Sequence, residues 1–306
     1  MVTFFATARP FRGHVGTIQR NAIRSWMRLC PPCEILLLGN DEGSSELAQS
    51  WGLRHIPQIE CNEYGTPLIS SLFEIAQREA KSALLCQINA DIMLTNDFLP
   101  AIRMLAKRKR MFLAAGQRWD VDIHGLWNFD GPDWEKELRE VIKKRGSLHP
   151  ATGLDYFIFQ KGAFTGLPPF AIGRRVLDNW LIFKARTLSM PVIDATPAIT
   201  AIHQNHGYEF HPGGEQAIMS GLEVQRNLEL AGGSEHVFTL EDATHVLTQS
   251  GVKLIMAKER LRRHVNSLAT VYPRLSPWMK VAGSVWKTIK RSNPLNDRGS
   301  RSDNTA

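Results

Sequence analysis

The sequence predicts an α/β fold, a mostly parallel sheet flanked by helices, and three observations carry that prediction. Strand-like and helix-like patterns alternate from residue 2 to residue 116. Two of the strand patterns, Glu34 to Leu38 and Ala83 to Ile88, are near-continuous apolar runs of the kind buried on both faces. Both runs end abruptly in polar residues, Gly39-Asn40-Asp41 and Asn89-Ala90-Asp91, at the strand ends where open α/β sheets place their ligands.

Each element follows from its pattern. Val2 to Ala6 is β-branched and aromatic and reads as the first strand, and Gly16 to Leu29 places Ile18, Ala22, Trp26 and Leu29 at helical spacing. After the strand Glu34 to Leu38 come a short helix over Ser44 to Trp51, a strand over Leu53 to Pro57, a helix over Thr66 to Ala80 and the strand Ala83 to Ile88. Asn96 to Lys109 reads as a helix with Asn96 as its N-cap, and Met111 to Gly116 returns as a strand. Beyond Gln117 the pattern loosens. It leaves an amphipathic helix near Asp133 to Lys144, a strand over Gly153 to Phe159, a loop from Phe170 into a helix, and an apolar β segment from Ala198 to Ile202.

Composition narrows the function classes. A chain of 306 residues, 43% hydrophobic, buries a sizeable core in one large domain or two closely merged ones. No apolar run approaches the roughly 20 residues that span a bilayer, and Arg9 and Arg12 come too early for a secretory signal, so the expected compartment is the cytoplasm. Cys30, Cys33, Cys61 and Cys86 form no dense disulfide framework. The Cys30-Pro31-Pro32-Cys33 stretch follows a helix and precedes a strand, the reverse of the redox order, and reads as a helix-ending loop. The net charge of +7 belongs to the tail: from Lys253 onward there are twelve Lys or Arg against three acids, which leaves 25 basic and 27 acidic side chains before it. The body is not basic, so no nucleic-acid partner is expected.

Three places carry candidate chemistry. A carboxylate at the end of a buried strand is held rigidly at the crevice, so Asp91 suits a grip on a metal-diphosphate; the simpler alternative is that Asn89 and Asp91 only start a turn. Asp178 falls in the first turn of its helix after Gly173, Arg174 and Arg175, where it caps backbone N–H groups or, beside a cleft, serves as a general base. His203 and His206 follow a β segment, with Asn205 and Tyr208 in the same loop, and either can complete a hard-metal site begun by Asp91 or touch a diphosphate; the simpler alternative is a hydrogen-bonded structural histidine at a strand end. Between Arg118 and Pro150, Trp119, Trp127 and Trp134 interleave with Asp120, Asp122, Asp130 and Asp133, which suits either a sugar-facing surface or an excursion pinned to the core.

Taken in order, QRNAIRSW with EILLLGNDEG, NEYGTPLISSLF with INADI, GLDYFIF with FAIGRRVLDNWL, and VIDAT with IHQNHGY resemble the bacterial GT-A glycosyltransferases, from about Val2 to Leu247. The resemblance implies a GT-A-like, Rossmann-like catalytic domain over 1–252, its nucleotide-binding half about 1–117 and its acceptor half about 118–252, then a basic helical and disordered tail over 253–306. It implies transfer of a sugar from a nucleotide-diphospho-sugar donor to a hydroxyl acceptor, a glycan or lipid-linked molecule in surface-polysaccharide or glycoconjugate assembly, with inversion favoured. The alternative is a non-catalytic nucleotide-sugar or glycan-binding scaffold of the same fold. Thr7, Arg9, Asn40 and Asp41 resemble the parts that hold the base and ribose. Asn89-Ala90-Asp91 resembles a D-x-D motif reduced to its last acid, and Asn89 and Asp91 fall at the donor. His203 or His206 would be the distal ligand of a divalent cation, Mn2+ or Mg2+, or a diphosphate contact, with Asp178 as the base and Asp155 in reserve. Gly207 stands where the resemblance leads one to expect an acid.

In the tail, Pro277 can open a helix with Trp278, Val281, Val285 and Ile289 near one face and lysines beside it. That pattern suits peripheral contact with an anionic membrane, or a helix packed on the body.

Overall fold

The computed structural model describes residues 1–29, 31–207 and 213–275. Strand β1 (Val2–Thr7) is followed by helix α1 (Gly13–Met27), which buries Ala22, Ile23 and Trp26. The alternation continues through β2 (Glu34–Leu38), α2 (Ser44–Trp51), β3 (Arg54–Ile56), α3 (Ile69–Glu79) and β4 (Leu84–Ile88). Next come β5 (Ile92–Leu94), α4 (Phe98–Ala106), β6 (Leu113–Ala115), β7 (Arg118–Val121), α5 (Trp134–Arg145) and β8 (Ser147–Leu148). Then follow β9 (Tyr156–Gln160), α6 (Leu177–Thr187), β10 (Val192–Asp194) and β11 (Ala201–Gln204). Past residue 213 lie α7 (Gly214–Ser220), α8 (Leu222–Ala231), β12 (His245–Thr248), β13 (Gly251–Leu254) and α9 (Lys258–Val271).

The strands form two sheets. The large one has nine strands in the order β13-β12-β10-β6-β9-β4-β1-β2-β3. Its pairings are parallel except where β9 runs against β4 and β6 and where β13 closes a hairpin on β12. The expected class, a mostly parallel sheet flanked by helices, is the architecture found. Alternate side chains of each strand feed two cores. Phe4, Leu37 and Cys86 pack with Trp26 of α1 and Phe98 of α4, while Phe5, Leu36, Leu85 and Phe159 pack with Phe73 of α3 and Leu181 of α6. Burial on both faces is why these strands read as continuous apolar runs.

The small sheet, β5-β11-β7-β8, stands beside the carboxyl end of β4. A third core of Met93, Val121, Phe129, Trp134, Leu138 and Ile202 backs it, with Trp119 and Trp127 packed against that core. The tryptophans of the 118–150 excursion therefore pin it down. Only Asn89, Ala90 and Asp91 separate β4 from β5, so Asp91 lies where one sheet hands over to the other.

Several boundaries differ from the sequence reading for physical reasons. Asn96 is not the cap of α4: that position is Asp97, while the Asn96 side-chain amide donates to Glu135. α3 starts three residues later than Thr66, because Pro67 and Leu68 are extended and form bridges to Cys61 and Ala171. The β segment placed over Ala198 to Ile202 lies at Ala201–Gln204, since the N–H groups of Ala198 and Ile199 both close turns onto the carbonyl of Ala195.

Position 252 falls within β13. Beyond it α9 lies on the body, where Arg263 Nε donates to Asp242 Oδ1 at 2.7 Å and Val271 is buried. Among the described residues no helix is long and apolar enough to cross a membrane. Cys30, Tyr208 and the amphipathic segment from Pro277 lie outside the described residues. Cys33 is a half-buried free thiol that burial pushes up to about 11, which suits the loop reading of the CPPC stretch.

Candidate active site

The carboxyl ends of β1, β2 and β4 open onto a cavity of about 410 Å3. Thr7 and Arg9 reach it from the loop after β1, Asp41 from the end of β2, Asn89 and Asp91 from the end of β4, and Arg174 and Asp178 from the approach to α6. Six of the residues singled out in the sequence thus share one cavity: Thr7, Arg9, Asp41, Asn89, Asp91 and Asp178. Asn40 is exposed. Burial raises the pKa of the Asp41 carboxyl, and the Arg9 charge partly offsets this.

Asp91 joins this cavity to the small sheet. His206 Nε2 lies 3.2 Å from Asp91 Oδ2 and His203 Nε2 lies 4.0 Å from the same oxygen. One ligand atom from each of the three falls within 4.8 Å of the others, close enough to share a cation. Burial alone would push the Asp91 carboxyl up. The His206 hydrogen bond and the charges of His203, His206 and Arg9 carry it below the ordinary carboxylate value. Among the described residues its other oxygen, Oδ1, is buried with no hydrogen-bond partner.

Behind this triad lies a network that the sequence did not reveal. Arg118 Nη1 donates to Asp155 Oδ2 at 2.6 Å and Arg118 Nε to Asp120 Oδ1 at 2.9 Å. His149 Nδ1 lies 2.6 Å from Asp120 Oδ2, and His203 Nδ1 lies 3.2 Å from Asp120 Oδ1. The latter is an ion-pair separation off the line of a ring N–H bond, so His203 Nδ1 is buried without an aligned hydrogen bond. For His203, burial lowers the pKa, but the Asp120 and Asp91 carboxylates outweigh it and raise the value.

Asn89 and Asp155 are also committed. The Asn89 amide donates to Asp155 Oδ1 at 2.9 Å, and its backbone N–H donates to the Asp155 carbonyl. An acid at 89 would set one carboxylate against another, whereas the amide can donate to Asp155. Asp155 is buried and bonded on both oxygens, while Asp178 keeps access to the cavity. Desolvation, and then the Asp155 charge, push Asp178 up to about 8. The residue before its helix, buried Val176, has φ +92°, a strained conformation for a β-branched side chain.

A nearby loop completes the rim. Tyr64, Gly65 and Thr66 line the cavity, and the loop is tied to α8 by Asn62 Nδ2 donating to Glu223 Oε1 at 2.7 Å and by Arg226 on Glu63. Arg174 Nη2 pairs with Glu223 Oε2 at 2.7 Å.

No family model and no curated protein matches the chain. Solved structures do. Over 66% of its length the chain is similar to the mannosyltransferase PcManGT from Pyrobaculum calidifontis, solved with GDP-Man and Mn2+, at 12% identity and a TM-score of 0.42. Over 76% it is similar to glucosyl-3-phosphoglycerate synthase from Mycobacterium tuberculosis, solved with Mn2+, UDP and glucosyl-3-phosphoglycerate, at 14% identity and a TM-score of 0.45. S. aureus TarS 1-349 with UDP-GlcNAc matches over 41% at 12% identity and a TM-score of 0.32. The chain spans 56% of the first of these proteins, 80% of the second and 36% of the third.

Proposed function

We propose that this chain is a metal-dependent glycosyltransferase of the GT-A type, moving a sugar from a nucleotide-diphospho-sugar to a hydroxyl of a glycan or lipid-linked acceptor in surface-polysaccharide or glycoconjugate assembly. One observation carries the reading: Asp91, at the carboxyl end of β4, gathers His203 and His206 at a cavity that Thr7, Arg9 and Asp41 also line. The residues fit a cation. Among the described residues Asp91 Oδ1 is buried with no hydrogen-bond partner, and orphaned polar atoms of this kind are rare in folded proteins. Two imidazole nitrogens with one carboxylate oxygen suit Mn2+ better than Mg2+, which prefers an oxygen shell. Asp91, His203 and His206 would hold such a cation, and it would supply positive charge to offset what develops on the departing diphosphate.

The chain's own residues do the rest. Thr7, Arg9 and Asp41 face the nucleotide side, at the ends of the strands where base and ribose are held. Asp178 takes the proton from the attacking acceptor hydroxyl, and attack from the face opposite the diphosphate inverts the anomeric centre. A carboxylate pushed up to about 8 is a stronger base than an ordinary one. Asp155, locked between Arg118 and Asn89, has the role of a strut.

The test is turnover of UDP-, GDP- and dTDP-sugars with Mn2+, read as nucleoside-diphosphate release. One donor class should react, EDTA should stop it, and Asp178→Asn should lower kcat by about 100-fold with donor affinity kept. Donor binding without turnover points to the scaffold alternative, and absence of binding removes the reading altogether.

A further inference from the structure

The small sheet brings Asp120 to the far edge of His203. β11 lies between β5 and β7, and in its register His203 pairs with Ile92 on one side and with Asp120 on the other. The imidazole is thus flanked by Asp91, just before β5, towards Nε2 and by Asp120 towards Nδ1. Among the described residues Asp120 is the charged partner of Nδ1, at 3.2 Å, an ion-pair contact and not an aligned hydrogen bond, so its carboxylate acts on the ring through its charge.

Asp120 is itself held from two further directions. Arg118 Nε lies 2.9 Å from Oδ1 and His149 Nδ1 2.6 Å from Oδ2. His149 in turn fits only because residue 153 is glycine, since a Cβ there would sit 2.1 Å from the ring Cδ2. Two anchors on one carboxylate exceed what a surface ion pair needs, and they prevent Asp120 from swinging away from His203. An ionised carboxylate accepts hydrogen bonds and cannot donate them. Facing it, a neutral His203 carries its proton on Nδ1, which leaves the lone pair on Nε2, the nitrogen on the Asp91 side.

We propose that Asp120 is a positioning residue for the cation: it fixes the tautomer and orientation of His203 so that Nε2 meets the ion beside Asp91 and His206, with Arg118 and His149 as its anchors. The proposal rests on the reading of Asp91, His203 and His206 as cation ligands. It adds a dependence of cation affinity on residues that never touch the ion, as carboxylate–histidine pairs do at metal sites.

Mn2+ alone is the probe, titrated into the full-length protein with free Mn2+ followed by electron paramagnetic resonance. Asp120→Asn, nearly isosteric, should weaken Mn2+ binding by about 10- to 100-fold. His149→Gln should weaken it by a smaller factor, and His203→Ala should abolish it. An Asp120→Asn protein that binds Mn2+ like wild type while His203→Ala does not overturns the proposal and leaves the cation site standing. A wild-type protein that binds no Mn2+ removes both. The second readout needs no variant at residue 120: two-bond 1H–15N spectra of the 15N-histidine-labelled wild type at a pH where His203 is neutral, with its signals assigned by loss in His203→Gln. The Nδ1–H tautomer is expected, and the Nε2–H tautomer overturns the proposal even if Asp120→Asn fails to fold.

Discussion

The two sheets differ in what they carry: apolar cores back both, and the small one also holds a network of charges on its strands. In the large sheet, Phe4 is fully buried and stacks on Trp26 at 5.6 Å and on Phe98 at 5.2 Å, and its neighbour Phe5 does the same kind of work on the opposite face with Phe73. In the small sheet the strands are two to four residues long, and β7 alone carries Arg118 and Asp120, whose charges meet His149, Asp155 and His203. Apolar burial builds the scaffold, and a balance of charges builds the site. The first is indifferent to pH and the second is not, which separates them experimentally.

The largest expected effect falls on the scaffold. Phe4→Ala should cost about 3–5 kcal/mol in urea unfolding, by the same amount at pH 4 and pH 7, because its titratable neighbour, Cys86, is held well above the ordinary thiol value by burial and stays protonated throughout. Arg118→Met should cost about 3 kcal/mol at pH 7, where it leaves Asp120 and Asp155 without their shared cation. The Arg118→Met deficit should shrink in acid. Burial works to raise the Asp120 carboxyl, but its contacts with His203 and His149 and the charge of Arg118 hold it below the ordinary value. The stability it contributes is therefore present above about pH 4 and lost as pH falls through its lower folded value. A deficit that does not change with pH would place Arg118 with the scaffold.

The smallest effect has the opposite sign. Asp178 is pushed up to about 8 by burial, so folding favours its protonated form and stability is lost as pH rises from about 4 to about 8. Asp178→Asn removes that loss and should raise Tm at pH 8 and not at all at pH 4. Equal Tm values at pH 8 would mean that the carboxylate is solvated and no stronger a base than usual.

The same contrast explains what the sequence reveals. The strands of the large sheet are visible because double-sided burial leaves an unbroken apolar signature, as in Glu34–Leu38. Asp91 is visible because it ends such a run. The polar network is not, since Asp120 and His203 lie 83 positions apart and meet only through the pairing of two four-residue strands. Arg118 and Asp120 sit two apart on one strand face, and that i, i+2 spacing of opposite charges was the available signal. The tryptophans and acids around it mask that signal, because they suit a sugar-facing surface or a pinned excursion equally well. His149 gave no local sign, because its partner is reached only through the β7–β8 pairing.

The most direct test of the central claim is a calorimetric titration of UDP and GDP, each with Mn2+ and with EDTA, into wild type and Asp91→Asn. The expected result is binding of one nucleotide to the wild type that needs Mn2+ and is lost in Asp91→Asn. Equal affinity in EDTA, or full binding by Asp91→Asn, would contradict the assignment of Asp91, His203 and His206 as the cation's ligands at the diphosphate.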